Sequence, residues 1–235
     1  MPKPTDSVSR QADPVRLATV RAYAAFREGG TFRPVAPVSL RDSQQRRLYA
    51  NLLRGMVRHC RRLEAEASRL ARRPPAQLTS PVMAALVLGL HQVLDLKQAD
   101  HAAVYETVEL LGTLGQNRAK GLVNAVLRTA LRERERGERA SSLSLAQRTS
   151  HPDWLVDRWV RQFGAEVTAR ICEANNRFET SGVRVNRARI GREALRARLA
   201  AETDPEVRRE LFGEGPRGSE EDGRISRQGA KTQRF

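Results

Sequence analysis

Two cysteines in 235 residues, Cys60 and Cys172, are too few for a disulfide framework, and neither stands in a Cys-x-x-Cys arrangement. A stapled secreted scaffold and a zinc cluster are both disfavoured, and a reducing cytoplasm fits. Aromatic residues make up only 5% of the chain, so no aromatic-rich cleft is advertised, and the 40% of hydrophobic residues suits a helical core of Leu, Val and Ala. Residues 1–13 lack the apolar stretch of a signal peptide. The longest apolar run, Val82–Leu96, is broken by His91, Gln92 and Asp95 and is too short to span a bilayer. Lysine is scarce as well: Lys3, Lys97, Lys120 and Lys231 are the only four among 42 basic residues.

What the chain has is arginine. Against 27 acids the basic residues leave a formal charge of +15, which favours a polyanionic partner through phosphate contact and counterion release. An arginine bias from the base composition of the coding DNA would give the same count, and the planar guanidinium suits bidentate phosphate recognition; composition is compatible with both readings.

Helix signals recur along the first 140 residues. Asp13-Pro14 predicts a helix start, an N-cap followed by proline in the first turn, and Gly29-Gly30 a stop. Arg16, Tyr23 and Arg27 fall along one line of that helix, either RNA-facing or, the reading the residues favour, its solvated side. Residues 30–41, with Pro34 and Pro37, read as a loop. From Asp42 to Arg73 one helical segment is expected, with Leu48, Leu52, Met56, Leu63 and Leu70 on one face and Arg47, Arg54, Arg58, Arg61, Arg62 and Arg69 on the other. That segment carries nine arginines against three acids, an imbalance unusual for a merely solvated surface. Ser80 as N-cap and Pro81 open a third, broadly apolar helix through Val82, Leu86, Val87 and Leu90, where Gly89 is read as a point of close helix approach. His91 and His101 have no second His or Cys at ligand spacing and are read as structural.

The stretch around which the chain is organised is Lys120–Arg128, KGLVNAVLR, with the run from His101, HAAVYETVE, that leads into it. Leu122, Val123, Val126, Leu127 and Leu131 gather on one helical face, and Lys120, Asn124, Arg128 and Arg132 recur every fourth residue on the other. By residue type this is either a core helix with a solvated back, the reading favoured, or a binding surface. These two motifs, in this order, closely resemble a pair found in NusB-like domains, closest to the N-terminal domain of the RsmB family, which methylates cytosine in small-subunit ribosomal RNA. His151–Leu155 and Glu173–Asn176 resemble segments that follow that domain in the family. There Trp154 and Trp159 are read as core anchors ahead of base-stacking platforms. Val183–Arg187 alternates as a strand and Arg192–Glu202 as a helix, as in the family's linking subdomain.

The organisation expected is a disordered N-terminus over 1–13, an all-α NusB-like bundle over 14–140, a helical linker with a single strand-helix piece of an α+β subdomain over 150–203, and a disordered tail over 204–235. In the tail seven acids and seven bases cancel, and Gly213–Gly218 satisfies G-x-G-x-x-G by chance, without a strand before it. The resemblance implies that a catalytic domain binding S-adenosylmethionine and supplying two cysteines would follow, and no segment matching it is found. No catalytic, cofactor or metal residue is therefore assigned. The expected function is an RNA-binding module directed to ribosomal RNA, with Arg47, Arg54, Arg58, Arg61 and Arg62 as main contacts and Arg118, Lys120 and Arg128 as secondary ones; in the family Glu106 and Glu109 support folding. The alternatives are a NusB-like transcription antitermination factor with a protein partner, and part of an enzyme completed by a separate methyltransferase chain.

Overall fold

The computed structural model describes residues 12–32, 35–96, 100–137, 143–177 and 184–202. Gly213–Gly218, the tail from 204 and most of the N-terminal stretch lie outside them. The chain divides into two units between Asn176 and Arg177.

In the first unit the helix starts follow their side-chain chemistry. Asp13 Oδ1 accepts the Arg16 amide at 2.8 Å and caps α1 (Pro14–Arg27), so an otherwise orphaned donor of the first turn is satisfied. Asp42 does the same for α2 (Ser43–Arg58) through the Gln45 amide at 3.2 Å. The segment expected as one helix is two: His59 leaves helical geometry at φ −105°, ψ 18°, and α3 (Cys60–Ala71) starts immediately after it. Ser80 is not the cap but the first residue of α4 (Ser80–Leu90); Thr79 takes the cap position.

All residues of α4 from Val82 to Leu90 are buried, because α1, α3, α5 (Asp100–Thr113) and α6 (Lys120–Glu135) surround it. Such a helix has no polar face to lose to solvent, which is why its sequence is apolar all round. Gly89 permits the closest approach: a Cβ there would stand 2.6 Å from Leu127 Cδ1 and 3.2 Å from Thr107 Cγ2. Leu52, Met56, Leu90, Val123 and Leu127 are 0–1% exposed, as their periodicity predicts, whereas Val108 is only half-buried.

Beyond the bundle, α7 (Leu145–Arg148) begins in a capping box between Ser144 and Gln147. The break between α8 (Asp153–Phe163) and α9 (Ala165–Asn176) is Gly164, whose φ of 79° favours glycine. Ala146, Val156 and Cys172 form a second small core, with Trp159 packed against it. Trp154 departs from the expected anchoring role: it is 66% exposed, on the opposite flank of α8 from Val156.

In the second unit, α10 (Arg192–Glu202) forms where expected. The predicted strand does not: of its five residues, Arg184–Asn186 are without regular structure, Arg187 opens a turn and Val183 lies outside the described residues. Alternation alone makes no strand without a partner to accept its ladder bonds, and the described residues contain no strand to pair with.

Candidate nucleic-acid interface

The basic side chains separate into cations paired with carboxylates and cations that are not. Arg61 pairs with Asp153 at the start of α8, and Arg62 makes a two-pronged contact with Asp95, 2.7 Å to each carboxylate oxygen. Arg69 ties Glu66 on its own helix to Glu133 on α6, with a 3.2 Å bond from Nη1 to the latter. Lys120 Nζ stands 3.2 Å from Glu109, which links α6 to α5. These side chains staple helices together, and a phosphate would have to displace a carboxylate to reach them.

The line on α1 is likewise internal, contrary to both sequence readings. Tyr23 is 0% exposed and donates its hydroxyl to Glu64 Oε1 at 2.9 Å, Arg27 Nε reaches the same oxygen at 2.8 Å, and Arg16 pairs with Glu106 at 2.8 Å. Solvated and RNA-facing were the wrong alternatives because the acids that receive these side chains lie on α3 and α5, far off in sequence. Glu106 and Glu109 do serve the fold.

Arg54 and Arg118 are exposed and have no carboxylate partner among the described residues; Arg128, also exposed, donates Nε to the neutral Asn124 Oδ1 at 3.1 Å. Their charges stay available to an external anion. Arg47 and Arg58 are half-buried and already engaged. Arg132, not singled out as a contact from the sequence, resembles Arg128: it is exposed and donates to Thr129 Oγ1 at 3.0 Å. Its four-residue spacing from Arg128 was the available signal.

The break at His59 has a polar cluster beside it. One π-helical turn, His91–Asp95, with the Leu96 amide bonded to the His91 carbonyl at 3.1 Å, carries Asp95 towards both His91 Nδ1, at 2.8 Å, and Arg62. A carboxylate only accepts, so Nδ1 carries the proton. The His91 ring lies where a Cβ on residue 55 would be, 2.2 Å from Nε2, so Gly55 on α2 is required. Burial alone would raise the Asp95 carboxyl, but the His91 hydrogen bond and the charges of Arg62, His91 and His59 more than offset it and hold it below its ordinary value. Burial pushes the neighbouring His59 down to about 4, with Arg62, His91 and Arg58 adding to the effect and Asp95 opposing it.

With the unfolded His59 near 6.5, the unfolded chain binds the extra proton between about pH 6.5 and 4, so stability rises with pH across that window and is lost as pH falls through it. Urea titrations should show a loss of roughly 2 kcal/mol between these limits, less than the full shift implies because His59 is only partly buried. His59→Gln should flatten the slope; an unchanged slope would assign it to other groups.

Neither thiol is set up as a nucleophile. Burial raises the Cys60 thiol, and Cys172 is enclosed in the second small core. Among the described residues no group of three or more His, Cys, Asp or Glu could hold a metal ion. No described helix is long and apolar enough to cross a membrane.

The described residues form a helical bundle cross-linked by ion pairs, with exposed arginines on α2, just before α6 and on α6, and with the α8–α9 helix pair following it. Residues 32–132 match the NusB family, and residues 151–211 match the RsmF/B-like methyltransferase ferredoxin-like domain. The chain thus carries a NusB domain followed by a segment of the RsmF/B-like ferredoxin-like type. It is similar to ribosomal RNA small subunit methyltransferase B of Pseudomonas putida, with 37% identity over 79% of this chain and 43% of that protein. The Pseudomonas syringae protein of the same name is 35% identical over 73% of this chain and 39% of its own length. For that of Sodalis glossinidius the values are 34%, 79% and 43%. The chain spans less than half the length of these curated relatives.

Proposed function

We propose that this chain is an RNA-targeting module that docks on small-subunit ribosomal RNA in the cytoplasm. The observation that carries the reading is the presence of exposed arginines without a carboxylate partner among the described residues, Arg54, Arg118, Arg128 and Arg132, on a NusB-type bundle in which Arg16, Arg27, Arg61, Arg62, Arg69 and Lys120 are paired with acids. Contacts of this kind go mainly to phosphates, so affinity should fall steeply with salt and show modest sequence preference. The test is binding of the full chain to small-subunit ribosomal RNA fragments between about 50 and about 200 mM salt, with a drop of roughly 1.3 decades if three phosphates of a single strand are contacted, and more for each further contact. Affinity that is flat with salt would refute phosphate contact.

The relatives are methyltransferases, and the proposed relation to that chemistry is delivery: these residues hold the RNA, and methyl transfer falls to a catalytic domain or partner chain. The thiols support this, since neither Cys60 nor Cys172 is placed to attack a base. S-adenosylmethionine should therefore leave the melting temperature of the 235-residue chain unchanged, because a ligand stabilises only a fold that contains its site. A saturable upward shift would overturn this division of labour.

A further inference from the structure

Between α5 and α6 lies a groove of about 310 Å³ that the docking role does not by itself require. Its floor is apolar, from Val108 and Leu131, and Tyr105 lines it with 53% of its surface exposed. Across from it Asn124, Arg128 and Arg132 follow one another on successive turns of α6. Asn124 Oδ1 accepts from Arg128 Nε and Thr129 Oγ1 accepts from Arg132 Nη2, so both guanidinium groups are oriented by neutral acceptors that leave their charge uncompensated. The acid in the groove, Glu135, stands at the C-terminal end of α6 and disfavours an anion there.

We propose that this groove is a subsite for one unpaired nucleotide of the bound RNA, its base stacked on Tyr105 and its phosphate held by Arg128 and Arg132; the inference rests on the RNA-docking reading above. A groove at the small end of the range for ligand pockets, roughly 300–1,000 Å³, has room for a planar ring. An aromatic face beside guanidinium groups is the chemistry that holds single strands, whose bases are free to stack, and not duplexes, whose bases are not. The amide of Asn124 offers donors to a base edge while its oxygen is engaged.

The test uses the full chain with a fluorescein-labelled single-stranded oligoribonucleotide of roughly ten nucleotides, enough to cover a site of the usual size, and the duplex it forms with its complement. Tyr105→Ala should weaken single-strand binding roughly 5- to 150-fold with an unchanged salt slope, as expected for removal of one base–aromatic stack. Tyr105→Phe should restore it, and neither change should affect the duplex. Equal weakening in Tyr105→Phe and Tyr105→Ala would overturn stacking, and unchanged affinity in Tyr105→Ala would overturn the subsite. Arg54→Gln with Arg118→Gln, both outside the groove, separates the subsite from the docking surface as a whole. If that pair flattens the salt slope while Tyr105→Ala does nothing, the subsite alone fails; if no variant alters binding, the docking reading fails with it.

Discussion

Val126→Asp should abolish cooperative thermal unfolding, whereas Ala125→Asp, one residue away, should melt within a few degrees of the parent chain. Val126 is 2% exposed within the main core, and Ala125 faces solvent. A carboxylate at position 126 has no partner to ionise against, so it either enters the core charged or takes up a proton, at a cost of several kcal/mol. That is most of the ~5–15 kcal/mol that holds a domain together. Circular dichroism melts of the two variants check this directly. Similar curves would mean that the phase assigned to α6 is wrong.

That phase was legible from the chain because helical periodicity is a local signal: Val123, Val126 and Leu127 announce their face to anyone counting residues. The caps at Asp13 and Asp42 and the close approach at Gly89 are legible for the same reason, since each depends on a few neighbouring residue types. The break at His59 was hidden. Leu52, Met56 and Leu63 stay in step across it, and neither glycine nor proline marks the spot; beside it in space, 6.4 Å between ring centroids, is His91, 32 positions on.

The site was harder to read because charge pairing is decided at long range. Arg61 meets an acid 92 positions away, Arg69 one 64 away and Arg62 one 33 away, so a face that looked unbalanced over Asp42–Arg73 is partly neutralised in space. Tyr105 and Trp154 escaped for a related reason: whether an aromatic is core or platform depends on which helices cover it. Trp159 is covered and Trp154 is not.

The second large effect follows from that sorting. Substituting Arg54, Arg118 and Arg128 together by Gln removes three uncompensated charges, and each phosphate of a single strand that is left without its cation lowers the slope of log affinity against log salt by about 0.7. The expected change is about two units with an unchanged melting temperature, since all three side chains are exposed. Substituting Arg61, Arg62 and Lys120 removes the same formal charge from residues held by Asp153, Asp95 and Glu109. Here the effect should appear in stability, chiefly through Arg62, whose side chain is 20% exposed and leaves Asp95 without its cation.

The most direct measurement of the central claim is therefore the salt slope of both triple variants on one single-stranded fragment of small-subunit ribosomal RNA, read beside their melting temperatures. The account predicts a slope flattened by about two units in the Arg54, Arg118, Arg128 variant and by less than one in the Arg61, Arg62, Lys120 variant, with only the latter melting lower. Equal flattening in both would contradict it, because the charge of +15 would then be acting as a diffuse field and not through the arginines that the fold leaves unpaired.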